Sequence, residues 1–258
     1  MDSDQLLGIL AGLPVPAVRY HEVTGSTNDD AMAWVGDGAP DGALVAANKQ
    51  TRGRGRMDRQ WLTPAGTALA FSLVLRPTQQ EKIHLPLFSP LAALAVTDAL
   101  DALGIHAEIK WPNDVLIQRR KVCGILAEAI WVGEELQAVV VGIGVNMTPE
   151  SIPPADSVSF PADCVELATG APVNRWALMA GIVEAIFAWR GWLGTSYFLE
   201  TWQRRLAFLQ ERVQILSPGG GRLDGVLVGI DREGNMLLET SPGSIRSIPA
   251  GDVHLRVE

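Results

Sequence analysis

The chain has 258 residues, is 47% hydrophobic and only 19% charged, and carries a formal net charge of −8. Its apolar runs break well short of the length that spans a bilayer, and its acidic balance is the wrong sign for a general nucleic-acid binder, so a soluble globular protein is expected. The length suffices for one full core and a small second domain.

The start, Met1-Asp2-Ser3-Asp4, is acidic and lacks the basic-then-apolar pattern of a secretory signal, which gives a cytoplasmic expectation. At Gly25-Ser26-Thr27-Asn28, hydroxyl residues precede Asp29, Asp30 and the apolar-spaced Met32, Trp34 and Val35. This predicts a helix with Ser26 or Thr27 near its N-cap, an end that presents N–H groups and hydroxyls to a polar ligand. Residues 43–47 read as a strand. The next segment, Gln50 to Arg59, places Arg52, Arg54, Arg56 and Arg59 with Gly53 and Gly55 inside ten residues. A cationic loop on an acidic protein calls for a local anion: glycines permit φ > 0 and close backbone approach, and guanidinium forks match phosphate or carboxylate oxygens. A solvated arginine-rich turn or a nucleic-acid patch is the competing reading of this loop taken alone.

Residues 67–75 alternate as a half-buried strand should, with Leu69, Phe71, Leu73 and Leu75 on one face. Ser89-Pro90 supplies an N-cap and a first-turn proline for a core helix running to Gly104, with Ala93, Val96, Leu100 and Leu103 on one side. In Lys110-Trp111-Pro112-Asn113-Asp114 the proline favours extended chain, and Val115-Leu116-Ile117, a turn at Gln118-Arg119-Arg120 and Lys121-Val122-Cys123-Gly124-Ile125-Leu126-Ala127-Glu128 complete a hairpin. The chain has four lysines, and three of them (Lys49, Lys110 and Lys121) lie in or beside these motifs, where a compact point charge is chosen over the otherwise prevalent arginine. Spacing alone leaves Lys121 a solvated hairpin lysine.

Val139 to Asn146 is apolar enough for a buried strand, and its period of two puts Gly142, Gly144 and Asn146 on one face. Such a bare strip could take a flat ring, or accept a bulge or a tightly packed helix. Thr148 to Pro161 is proline-rich loop. An apolar helix from Asn174 to about Gly194 carries Trp176, Ile182, Ile186 and Trp189, another carries Trp202, Leu206 and Leu209, and both read as core. Cys123 in a strand and Cys164 in a helix have no metal-ligand spacing and read as free buried thiols. From about Glu211, short strands alternate with tight turns, including Gly219-Gly220-Gly221, which lacks the Lys-Ser/Thr of a phosphate loop. A small β-barrel is the expectation, and no internal repeat is present.

Taken in order, the Ser-Thr-Asn segment, the glutamine with its glycine-arginine loop, the Lys-Trp-Pro-Asn-Asp block, the lysine before Gly-Ile-Leu and the Gly-Ile-Gly-x-Asn strand resemble the biotin protein ligases. The resemblance spans Ser26 to Asn146. It implies an α+β fold: a mixed sheet with helices, the class II synthetase-like biotin/lipoate ligase catalytic domain, over 1–210, and an SH3-like C-terminal β-barrel over 211–258. It implies a biotin site from Ser26, Thr27, Asn28, Gln50, Gly53, Arg54, Gly55, Arg56, Lys121, Gly142 and Gly144. Arg56, Arg59, Trp61, Lys110, Asn113 and Asn146 would face ATP. Lys121, Arg54, Arg56 and Asp114 would carry the chemistry, with Asp114 orienting or deprotonating the acceptor lysine, capping a turn, or contacting the metal. Asp58 stands where the family commonly has a third loop glycine.

The activity so implied is activation of biotin by ATP to biotinyl-5′-AMP, with Mg²⁺ and metal ligands unassigned, and transfer to a lysine of a biotin carboxyl carrier domain such as that of acetyl-CoA carboxylase. The segment before Ser26 leaves no room for a winged-helix DNA-binding domain, so a short form without specific DNA binding or membrane attachment is expected. A homodimer is left open. A lipoate ligase and a non-catalytic biotin-binding module are the other candidates, the first expected to show a different glycine-rich signature.

Overall fold

The computed structural model describes every residue except 58, 159, 217–220, 250–253 and 258, and gives backbone alone over 254–257. In chain order the elements are α1 (Ser3–Ile9), β1 (Val18–Thr24), α2 (Thr27–Gly36), β2 (Leu44–Gln50), β3 (Ala68–Leu75), α3 (Gln79–Lys82), α4 (Phe88–Asp101), β4 (Glu108–Lys110), β5 (Asp114–Ile117), β6 (Arg120–Val132), β7 (Glu135–Asn146), α5 (Val165–Thr169), α6 (Arg175–Arg190) and α7 (Ser196–Arg204). There follow β8 (Arg212–Leu216), β9 (Arg222–Ile230), β10 (Met236–Ser241), β11 (Ser244–Ile248) and β12 (His254–Val257).

The first seven strands form one mixed sheet in the order β1-β2-β3-β7-β6-β5-β4, in which only the edge pair β1/β2 is parallel. The last five strands form an antiparallel sheet, β11-β10-β9-β8-β12, the SH3-like unit. This is the α+β architecture the sequence predicts.

Both faces of the large sheet are covered, which corrects the half-buried reading of β3. Leu69, Phe71, Leu73 and Leu75 enter the main core with α4 and α6, while Val74 joins Ala31, Val35, Val45, Ala138 and Val140 under α2, and all eight residues of β3 are buried. The α2 face is built from alanine and valine at one end. Farther along, the same face carries Gly142, Gly144 and Asn146, because residues two apart on β7 share a side. The small-residue packing of α2 thus grades into the floor of a cleft.

Helix α4 begins earlier than expected. A 3-10 turn over Leu85–Leu87 runs straight into Phe88, so Ser89 and Pro90 sit in the first turn instead of capping it. Pro90 is tolerated there because the first N–H groups of a helix have no intrahelical acceptor. The helix is buried nearly all round between the sheet and α6, ends at Asp101, and leaves Leu103 exposed. Leu206 and Leu209 likewise follow α7, which stops at Arg204. Thr148 to Pro161 is mostly irregular, with 3-10 turns at Pro149–Ser151 and Ala155–Ser157.

Three elements, α1, α3 and β1, lie where the sequence reading placed none. Helix α1 starts with a capping box in which Gln5 N–H donates to Asp2 Oδ1 (2.8 Å) and Asp2 N–H to Gln5 Oε1 (3.0 Å). Strand β1 is an edge strand with polar Arg19, His21 and Glu22, which carries little apolar signal. The two sheets meet through the Lys-Trp-Pro-Asn-Asp block: Trp111 is buried and its indole N–H donates to the Gly234 carbonyl (3.1 Å). The Trp111–Pro112 peptide is cis and residues 111–113 form a turn, where extended chain was expected. Of the expected Gly219-Gly220-Gly221 turn, Gly219 and Gly220 lie outside the described residues, as does Asp58. No described helix is long and apolar enough to cross a membrane.

Candidate active site

A cavity of about 530 Å³ opens over the glycine strip, within the range of small-molecule sites. Its walls come from the start of α2, the arginine loop, the β4–β6 hairpin region, β7 and the segment around Ser157 to Ala162. Every one of the sequence-predicted site residues except Gly53 lines it.

The floor is not bare. A Cβ on Gly142 would fall far inside contact with Asn28 Oδ1, and one on Gly144 would overlap the indole of Trp61, which also lies 3.1 Å from the Cβ position of Gly124. The flat ring on the strip is therefore the protein's own Trp61, and the glycines are required by close approach, not by φ. The Trp61 indole N–H is buried with no partner among the described residues.

Gln50 and the N-terminus of α2 form one end of the cavity. Ser26 is the N-cap by backbone conformation, but its side chain makes no capping bond. Thr27 N–H and Thr27 Oγ1–H both donate to Gln50 Oε1 (2.8 and 3.1 Å), and Gln50 Nε2 donates to Thr63 Oγ1 (3.1 Å). Beneath them Ser72 Oγ lies 2.8 Å from Thr27 Oγ1 and donates to Asn28 Oδ1 (2.6 Å). Asn28 Nδ2 in turn donates to Glu128 Oε2 (2.7 Å). Asn28 is thus turned into the sheet, held by its own network.

The arginine loop is a closed hairpin. Arg54 bridges Gln60, Gly55 N–H donates to the Arg59 carbonyl (2.7 Å), and Trp61 N–H donates to the Gly53 carbonyl (2.9 Å). Gly53 is needed because a Cβ would lie 2.5 Å from the Trp61 carbonyl oxygen, whereas the Cβ position of Gly55 meets only ordinary contacts. Neither glycine has positive φ; among the described loop residues Met57 takes the left-handed turn, at φ 56°. The expectation that φ > 0 glycines shape this loop is corrected accordingly. The Arg54 guanidinium pairs with Asp29 (2.6 Å) and Glu128 (3.3 Å), while Arg56 donates to Asn113 Oδ1 (3.3 Å).

At the other end, Asp114 is buried between two lysines: Lys121 Nζ is 2.6 Å from Oδ1 and Lys110 Nζ 3.7 Å from Oδ2. Burial pushes the Asp114 carboxyl up, but Lys121 and Lys110 together outweigh it and hold the group below the ordinary aspartate range. Burial pushes the Lys110 ammonium down, reinforced by Lys121 and only partly opposed by Asp114. Lys110 also lies over the Phe160 ring (4.8 Å), and Lys121 over Trp61 (5.6 Å). The hairpin that presents Lys121 turns through Gln118 and Arg119, both at positive φ (47° and 62°), which are the dihedrals of a type I′ turn. Lys121 is then clamped by backbone bonds to Pro161 (2.7 Å) and Asp163 (2.9 Å). Asn113 Nδ2 donates to the Ile125 carbonyl (2.6 Å) and Asn146 Nδ2 to that of Asp163 (2.9 Å).

Sequence reasoning missed Glu128, Asp29, Ser72 and Phe160. Glu128 was within reach, since Gly124, Leu126 and Glu128 alternate on β6 and pair with Gly144, Gly142 and Val140. Phe160 lies on irregular chain and carries no periodic signal. Both cysteines are free and buried, with burial pushing each thiol up, away from the thiolate form that a nucleophile needs.

Residues 20–146 match the biotin/lipoate A/B protein ligase family and residues 208–256 the biotin protein ligase C terminal domain. The chain is 38% identical over 239 residues to the biotin–[acetyl-CoA-carboxylase] ligase of Paracoccus denitrificans, covering 89% of this chain and 97% of that one. It is 34% identical over 244 residues to the bifunctional ligase/repressor BirA of Bacillus subtilis strain 168, covering 92% of this chain and 73% of that one. In structure it is similar to the biotin protein ligase of Aquifex aeolicus in complex with biotin and ATP, with a TM-score of 0.79, 28% identity and coverage of 93% of this chain and 99% of that one.

Proposed function

The chain belongs to the biotin/lipoate A/B protein ligase family, and from that membership we propose that it activates biotin with ATP to biotinyl-5′-AMP and transfers the biotinyl group to a lysine of a biotin carboxyl carrier domain. In the first step a biotin carboxylate oxygen attacks the α-phosphorus, its bond to the bridging oxygen breaks, and pyrophosphate leaves. In the second, the acceptor amine attacks the acyl carbon of the mixed anhydride, AMP departs with the C–O electron pair, and the amine loses a proton.

The observation that carries this reading is the convergence of Arg56, Lys110 and Lys121 on one cavity in a chain of net charge −8. Two anions must meet in the first step, and fixed cations in a partly dry site offset their repulsion and the charge that grows on the α-phosphate. Arg56, Arg59, Lys110, Trp61, Asn113 and Asn146 are assigned to the nucleotide side, and Ser26, Thr27, Gln50, Gly55, Gly142, Gly144 and Lys121 to biotin, while Gly53, outside the lining, is assigned to let the loop cross the Trp61 carbonyl and close. Asn28 and Arg54 line the same cavity and are assigned to its biotin side, each held there by a bond to Glu128. Asp114, held below the ordinary range by two ammonium groups, is a weak base, so its assigned role is to orient Lys121 rather than to deprotonate the acceptor. Among the described residues no cluster of three or more His, Cys, Asp or Glu offers a metal cage; Mg²⁺ is assigned to arrive with the nucleotide phosphates, and no step is routed through it.

The catalytic unit is assigned to 1–210 and the SH3-like unit to 211–258. Dependence on ATP fits work in the cytoplasm. Incubation of the chain with ATP, Mg²⁺, biotin and a carrier domain, read by intact mass, tests the proposal. One biotinyl group per acceptor is expected; transfer of lipoate or octanoate and not of biotin would overturn it.

A further inference from the structure

We propose that Asp29, Glu128 and Asn28 form a clasp on Arg54 that positions the arginine loop over the cavity. That the loop covers an adenylate rests on the ligase reading above; the clasp itself rests on geometry. One terminal nitrogen of the Arg54 guanidinium is shared by Asp29 Oδ1 at 2.6 Å and by Glu128 Oε2 and Oε1 at 3.3 and 3.4 Å. Asp29 comes from the first turn of α2 and Glu128 from the middle of β6, so a single loop side chain ties two rigid elements together. Two carboxylates this close repel one another unless a cation stands between them.

Glu128 is not free to follow Arg54 outward. Its Oε2 accepts from Asn28 Nδ2 (2.7 Å), and Asn28, 4% exposed, is itself fixed by the Ser72 hydroxyl (2.6 Å) and the Leu126 carbonyl (3.3 Å). Gly142 makes room for that amide, because any Cβ there would overlap its oxygen. The chain of bonds continues through Ser72 and Thr27 to Gln50, the residue at which the loop leaves β2. Both ends of the first limb of the loop are therefore referenced to one buried polar network.

Holding Arg54 holds the second limb as well, since Arg54 bridges Gln60 across the hairpin. The clasp also sorts the loop's charges: Arg54 is turned to the protein's own carboxylates, while Arg56 faces Asn113 on the cavity wall. Glu128 and Asp29 are positioning residues and touch no substrate.

Limited trypsin digestion of the ligand-free full chain reads loop opening without any turnover, because the loop's own arginines are cleavage sites. For partly exposed charge pairs of this kind, cleavage after Arg56 and Arg59 should rise about threefold in Glu128→Gln and in Asp29→Asn and roughly tenfold in the double variant. Asp29→Glu, which keeps the charge, should cleave like the parent. In an Arg54→Gln background, Glu128→Gln should add nothing, which distinguishes the clasp from a general loss of stability. With ATP and biotin, the double variant should release biotinyl-AMP roughly tenfold faster while single-turnover adenylation stays within about twofold of the parent. Unchanged cleavage in the double variant, equal effects with and without Arg54, or slower release of the adenylate would each overturn the clasp. If the parent chain makes no biotinyl-AMP at all, the ligase reading fails, and the digestion still decides the clasp.

Discussion

Replacing Lys121 with methionine separates its part in chemistry from its part in folding. The side chain is 25% exposed and pairs at 2.6 Å with Asp114, whose side chain is 11% exposed. Removing one partner of a fully buried pair costs about 3–5 kcal/mol, because the other is left charged without compensation. Here Lys110 remains 3.7 Å from the same carboxylate and solvent reaches the lysine end, so the cost should fall to about 1–2 kcal/mol. For a chain of this size that is a loss of roughly 2–8 °C in Tm. The adenylation rate should fall much further, by about 10²–10³, as when one fixed donor to a developing oxyanion is removed. The pH dependence supplies an internal control. In the parent the two lysines hold the Asp114 carboxyl below its ordinary value despite burial, so the stability it contributes is present above the unfolded aspartate pKa and is lost as pH falls through the lower folded value. With Lys121 gone, burial faces one opposing ammonium instead of two, the folded pKa rises, and the acid-side loss of Tm should begin at higher pH. Single-turnover biotinyl-AMP formation and thermal melts from about pH 3 to 8 read both quantities. Formation at the parent rate, or an unmoved acid limb, would return Lys121 to a solvated hairpin lysine.

The glycines of β7 should separate in the same way. Gly142→Ala drives a methyl into Asn28, which is buried and fully engaged, and should cost about 1–3 kcal/mol in urea melts; Gly144→Ala meets the loop-borne Trp61, so Tm should hold while biotin affinity drops, and the reverse ranking would be inconsistent with the floor described. Arg190 joins Glu81 (2.6 Å), Asp41 (2.8 Å) and the Arg76 carbonyl (2.8 Å) away from the cavity lining. Arg190→Met should therefore lower stability by about 2–4 kcal/mol with kcat of the surviving folded enzyme unchanged, and a kcat loss would show a coupling the contacts do not contain. Duplex DNA should bind no tighter than a Kd of roughly 10⁻⁴ M at physiological salt, and sequence-specific nanomolar retention in a gel shift would contradict that.

What the sequence made legible follows from which signals are local. Lys110 to Asp114, the arginine loop and Gly142 to Asn146 could be found because each compresses unusual residue types into a few positions, and all but one of the site residues drawn from them line the cavity. The exception is Gly53, which serves the loop's own crossing with the Trp61 carbonyl. Side-chain direction was less legible, because it depends on partners distant in sequence. Arg54 turns to Glu128, 74 residues away, and Asn28 to the same carboxylate, 100 residues away, so a motif that marks both as ligand-facing cannot show that they face each other's partner. The glycine strip stayed open between a flat ring and a tightly packed helix for the same reason, and the structure puts α2's Asn28 against Gly142 and Trp61 against Gly144. Period two correctly gave one bare face, but whether that face receives a ligand or the chain itself depends on Trp61, which is carried on a loop that only the closed hairpin brings back across β6 and β7. Glycine at 124, 142 and 144 thus has two tasks at once: it lets a polar network pack beneath the site, and it lets an aromatic lie flat above it. A methyl at either place would move the floor or the cover, which is why the strip and the loop act on a ligand as one unit.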